Sequence, residues 1–146
     1  MNKKVTLKIC FYVYIFFILL ITVLRPWKGS FLLMQGTLNL TFFKEYKGMF
    51  SRNFWMFVYL FGGNIGWFVP IGFYKVFFEK RSVLRTVSGG FFLSLFIEIM
   101  QYVLGRGISE LDDLILNTFG VFLGWLLGKA VLEILERKKK NLEPVS

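Results

Sequence analysis

The chain has 146 residues, of which 55% are hydrophobic and 20% aromatic. A soluble domain carries about 45–50% apolar residues even with glycine counted, so this chain is too apolar for a one-domain soluble protein. Eighteen Lys and Arg face nine Asp and Glu, a net charge of +9, and there is no histidine. The missing histidine excludes the Ser-His-Asp triad, His-ligated zinc and His-ligated haem. Apolar bulk with basic charge points instead to membrane spans with basic flanks. The single cysteine, Cys10, excludes an internal disulfide. The length suits one domain, taken here as residues 1–146.

A helix needs about 20 apolar residues to cross hydrocarbon. Four stretches reach that length: about Val5 to Leu24, Phe54 to Tyr74, Thr86 to Gly105, and Leu114 to Leu135. No stretch alternates with period 2, which argues against a β-barrel. The expected fold is an all-α membrane protein, a bundle of four transmembrane helices. The first stretch follows Lys3 and Lys4 but is not followed by a small-residue cleavage pattern, so it reads as an uncleaved span.

The connection from Arg25 to Arg52 has apolar patches, Phe31 to Met34 and Leu40 to Phe43, broken by Gly29, Gly36 and Gly48. It reads as an interfacial segment on the outer surface, with Trp27 and Trp55 at headgroup level. A re-entrant segment is the alternative. Gly62 and Gly66 in the second span repeat at four residues, as do Gly120, Gly124 and Gly128 in the fourth. Small residues at that spacing let helices approach closely and read as packing faces, within the bundle or between copies in a homo-oligomer. Pro70 predicts a kink in the second span.

In the third span, Ser94, Glu98 and Gln101 form one polar stripe on an apolar helix. A carboxyl group in a span costs several kcal/mol if charged and unpaired, so Glu98 should face the bundle interior. Counting from the outer end places it about 10 Å deep. The short hairpin that follows contains Arg106, Glu110, Asp112 and Asp113, and Asn117 lies one turn into the fourth span. A tight hairpin makes the third and fourth spans antiparallel neighbours. Glu98, Gln101, Arg106, Asp113 and Asn117 should therefore lie near one another. Ser109 and Asp112 have the spacing of a capping box. Asn64 falls about ten residues into the second span, near mid-membrane, where it reads as a helix-bridging amide or as part of the site.

Asn64-Ile-Gly-Trp-Phe-Val-Pro-Ile-Gly-Phe73 resembles the Asn-to-Pro-x-Gly-Phe signature of VanZ-like proteins. Glu98-x-x-Gln101, Gly105-Arg-Gly107, Glu110-x-Asp-Asp113 and Asn117-Thr-Phe-Gly120, with Gly124 beyond, resemble that family's stronger signature. Asn39-Leu-Thr-Phe-Phe43 resembles its weaker loop-one motif, with Thr41 in place of the expected proline. The resemblance covers about residues 9 to 132. It implies a small multi-pass protein of the bacterial cell membrane. The family's namesake is linked to low-level resistance to teicoplanin, independently of vancomycin resistance.

Three functions remain open. The site Glu98, Gln101, Arg106, Glu110, Asp112, Asp113, Asn117 and Asn64 fits binding of a lipid-linked cell-wall precursor or a lipidated glycopeptide. It also fits an enzyme acting on a lipid-linked phosphate, with Glu98 as general acid or base. In that case Glu110, Asp112 and Asp113 would hold a divalent cation and Arg106 the anion. A transporter subunit is the third. No cofactor is assigned, and no cysteine metal motif or phosphate-cradling Gly-Lys loop is present. The basic run Arg137 to Lys140 reads as a membrane-orientation signal and not as a nucleic-acid patch.

With four spans, twelve Lys and Arg fall on the side of both termini and six on the other. The excess predicts cytoplasmic N- and C-termini. Reporter fusions after Ser146 and near Gly107 should report opposite sides of the membrane. Both on one side would overturn this topology.

Overall fold

The computed structural model describes residues 2–23, 36–105 and 108–142. Four helices are long and apolar enough to cross a membrane: α1 (Lys3–Val23), α3 (Phe54–Phe77), α4 (Val83–Val103) and α5 (Leu111–Leu142). The expected all-α bundle of four spans is the observed architecture. Boundaries differ from the sequence reading by up to three residues, except at the end of α5. That helix continues through Arg137–Lys140 to 32 residues, about 48 Å at 1.5 Å per residue. Lys139 and Lys140 occupy its last turn, where cations favour the helix dipole.

Between α1 and α3 the described chain forms strand β1 (Thr37–Asn39) and helix α2 (Lys44–Arg52). Between α4 and α5 it forms strand β2 (Ile108–Glu110). The strands pair in parallel, Thr37 with Ile108 and Asn39 with Glu110. This two-stranded ribbon was not expected. It fastens the long first connection to the hairpin at one end of the bundle, here termed the strand end. Trp27 and the patch Phe31 to Met34 lie outside the described residues.

Helix α2 folds back along α3. Phe43 and Tyr46 meet Phe61, and Phe50 meets Phe54 and Phe57. The chain turns at Asn53, whose side chain caps α3 by accepting from the Met56 N–H at 3.0 Å.

Helices α3 and α5 run in the same direction and form the tightest seam. A Cβ on Gly120 would strike the Ile65 carbonyl, and one on Gly124 the Val69 carbonyl. Gly128 sits against Val76 and Phe73. The glycine repeat on α5 is thus a packing face. Gly62 and Gly66 do not pack within the described chain: a Cβ at either would meet nothing within 4 Å. The glycine that α3 presents to α5 is Gly72, whose Cβ would strike the Val121 carbonyl. Gly90 plays the same part on α4, against the Val121 side chain. Spacing alone did not distinguish these faces.

Helix α1 packs more lightly. Phe11 stacks on Tyr74 with centroids 3.8 Å apart, and the Tyr14 hydroxyl donates to the Trp67 carbonyl at 2.7 Å, one turn ahead of Pro70. At the other end of the bundle, Lys80 has φ 55 and ends the turn after α3. Glu79 bridges Lys75 at 2.9 Å and Arg81 at 2.7 Å. Burial raises the Glu79 pKa, but these two cations more than offset it, so its carboxyl sits below the usual range.

Replacing Gly124 with alanine should lower thermal stability in detergent, because the new methyl meets backbone that cannot move alone. Overpacking costs about 1–3 kcal/mol. Gly62→Ala should be tolerated. Equal melting temperatures for the two variants would contradict the seam.

Candidate functional site

The strand end gathers polar groups from six elements, β1, α2, α3, α4, β2 and α5. Glu98 on α4 is 5% exposed and lies beneath β2. Its Oε2 accepts from the Glu110 backbone N–H at 2.8 Å, and the buried Ser109 hydroxyl also faces it. It does not point toward lipid. Asp113 is within its electrostatic reach.

Asp112, at the start of α5, is 4% exposed. Both its oxygens lie 3.0 Å from the Phe43 backbone N–H. Phe43 has φ 47, a left-handed conformation that side-chain-bearing residues rarely adopt. The carboxylate therefore fixes a strained turn at the entry to α2. The expected capping box does not form: Asp112 is turned to Phe43 and not back to Ser109. The long first connection supplies a competing donor that local spacing could not reveal.

Asp113 accepts from the Asn64 side-chain amide and, at 3.5 Å, from the Tyr46 hydroxyl. The same amide donates to the Tyr46 oxygen at 3.3 Å. Asn64 therefore belongs to the strand-end cluster. The sequence alone offers a helix-bridging amide or a member of the site; the amide bridges α3 to α5 at Asp113, and α2 runs along α3 and carries Tyr46 to the same level. Tyr46 is 7% exposed and was not anticipated. Burial, then the charges of Asp113 and Glu110, push its pKa well above the usual range, so the hydroxyl stays a donor. A helical apolar spacing of Phe42, Phe43, Tyr46, Met49 and Phe50 was the available signal for α2.

Asn39 on β1 donates to Glu110 Oε1 at 3.2 Å, which ties the motif of the first connection to the hairpin. One turn deeper, Asn117 donates to Ser94 Oγ at 2.9 Å inside the α4–α5 contact. The Asn117 Oδ1 atom is buried with no partner among the described residues. Gln101 turns the other way and donates to the Thr22 carbonyl of α1 at 3.1 Å. The polar stripe on α4 is thus divided among three neighbours. Arg106 lies outside the described residues.

Glu98, Asp112 and Asp113 form no ion pair among the described residues. Among the described residues no group of three or more acidic or cysteine side chains, Glu110, Asp112 and Asp113 included, is placed to hold a metal ion.

The Asp112→Asn variant should loosen the docked connection. Charge-assisted hydrogen bonds are worth about 1.5–3 kcal/mol, so deuterium exchange across residues 37–50 should rise by roughly tenfold or more. Exchange indistinguishable from the parent protein would mean that Asp112 does not hold Phe43.

Residues 9–132 match the family VanZ/LLP1. No curated protein and no solved structure matches the chain. The match spans all of β1, α2, α3, α4 and β2, most of α1 and α5, and every polar group described above. The chain belongs to the VanZ/LLP1 family.

Proposed function

We propose that the strand end is a binding site, facing the outer leaflet, for a lipid-linked cell-wall component or a lipidated glycopeptide of the teicoplanin type. The observation that carries this reading is the collection of Glu98, Glu110, Asp112 and Asp113 beneath one docked connection. Such a site is rich in hydrogen-bond acceptors. It suits a ligand that brings donors, such as sugar hydroxyls, amides or an amine. Exposed Leu38, Leu40, Phe42 and Phe50 surround the docked connection and suit an acyl chain beside the headgroup. An acyl chain adds roughly 0.8 kcal/mol per buried methylene, which concentrates such a ligand where the site lies. A multi-pass protein of this size acts close to the bilayer.

An enzymatic reading uses the same residues and requires Glu98 to exchange a proton. Its support is the seclusion of Glu98 beside a backbone donor.

Expression in a susceptible host should protect more against teicoplanin than against vancomycin. Protection should fall in Glu98→Ala and Asp113→Ala at unchanged membrane levels. A Glu98→Gln variant should retain part of it, because its carbonyl still accepts the Glu110 N–H; complete loss in that variant favours the enzyme. Equal protection against both drugs, or none, would reject the glycopeptide reading.

A further inference from the structure

A concavity opens at the strand end beside the carboxylate cluster, lined by none of its carboxylates among the described residues. Its volume is about 680 Å³, and it lies between β1, the last turn of α2 and the α2–α3 turn. Polar side chains line it: Thr37, Asn39, Thr41, Arg52 and Asn53. Among the described residues that line it, Arg52 is the one with a charged side chain, and none is a carboxylate. Among the described residues Arg52 forms no ion pair or hydrogen bond.

Gly48 forms part of the same wall. It sits in the interior of α2, where glycine is destabilising relative to alanine. Neither backbone conformation nor packing requires it: its φ is not positive, and a Cβ there would meet nothing within 4 Å. What the missing side chain does is leave the cavity open. The surroundings are apolar and exposed. Leu38 and Leu40 flank the polar positions of β1, Phe50 lies on α2, and Trp55, 79% exposed, follows Asn53. Indole rings settle at the headgroup level of a bilayer.

We propose that this cavity binds a phosphate-bearing lipid headgroup, with Arg52 on the phosphate and the threonine and asparagine side chains on its oxygens and neighbouring hydroxyls. Arginine suits the task because its planar fork matches two phosphate oxygens at once. The exposed apolar side chains accommodate the chains of the lipid. The site uses Arg52 and Gly48 in place of Glu98 and Asp113, so it stands whether or not the carboxylate cluster binds a glycopeptide.

The test uses the full chain purified in an uncharged detergent, with binding read by native mass spectrometry. The probes are short-chain phosphatidylglycerol, a diacylglycerol of the same chain length, and inorganic phosphate. Phosphatidylglycerol should bind, and the phosphate-free diacylglycerol should not. Arg52→Gln should weaken binding by about tenfold or more, the loss of a charge-assisted pair. Gly48→Leu, which fills the cavity and keeps the charge, should weaken it comparably. Circular dichroism establishes that each variant is folded, and should Arg52→Gln fail to fold, Gly48→Leu decides alone. Unchanged affinity in a folded variant, or diacylglycerol binding as tightly as the phospholipid, would overturn the site. Inorganic phosphate binding as tightly as phosphatidylglycerol would overturn the lipid as its source.

Discussion

The close backbone approach of α3 and α5 is the constraint on which the rest depends. Helices in lipid gain little from hydrophobic exclusion, because the surrounding chains are as apolar as their own side chains. Close packing must supply the contact. Gly72, Gly120, Gly124 and Gly128 bring the two helices together until carbonyl oxygens lie where side chains would stand. That approach sets the register of the two helices. The register in turn brings Asn64 to Asp113, and Gly90 seats α4 against Val121 on the same helix. The polar cluster is assembled on a seam that contains no chemistry of its own.

The cluster satisfies a second demand. Polar groups secluded from water need partners, and in a bilayer the chain must provide them. The first connection does so. It contributes the Phe43 N–H to Asp112, the Tyr46 hydroxyl to Asp113 and the Asn39 amide to Glu110. These contacts tie the strand and the helix of this segment to the start of α5. They also account for the left-handed Phe43: the turn aims its N–H at a carboxylate, which helps to offset the cost of that conformation.

The four spans were legible because apolar length is a local property, and Glu98 because a lone carboxylate in such a run has few places to go. The ribbon of β1 and β2 was not legible. Each strand has three residues, too few to show alternation, and their partners lie 71 positions apart. Tyr46 was missed because its donor role exists only after α2 has folded back along α3. The glycines give the clearest physical lesson. Gly62 and Gly66 have the same spacing as Gly120 and Gly124, yet face open space. Spacing identifies a smooth face on a helix; only the neighbour's position decides whether that face is used.

The strand end also separates charge by sign. Glu98, Glu110, Asp112 and Asp113 lie around the start of α5, whereas Arg52 lines a cavity on the far side of β1. Asn39 is common to both: its amide donates to Glu110, while its residue also walls the cavity. Among the described residues Arg52 forms no ion pair with these carboxylates. An amphiphile with both an anionic phosphate and donor-rich sugars or amides would meet complementary groups on the two sides of that ribbon. A ligand with only one of these features would satisfy one side and leave the other to water. If both proposed sites bind as described, discrimination between such ligands would rest on the ribbon, which is anchored beside the Asp112–Phe43 contact and, beneath it, on the glycine seam.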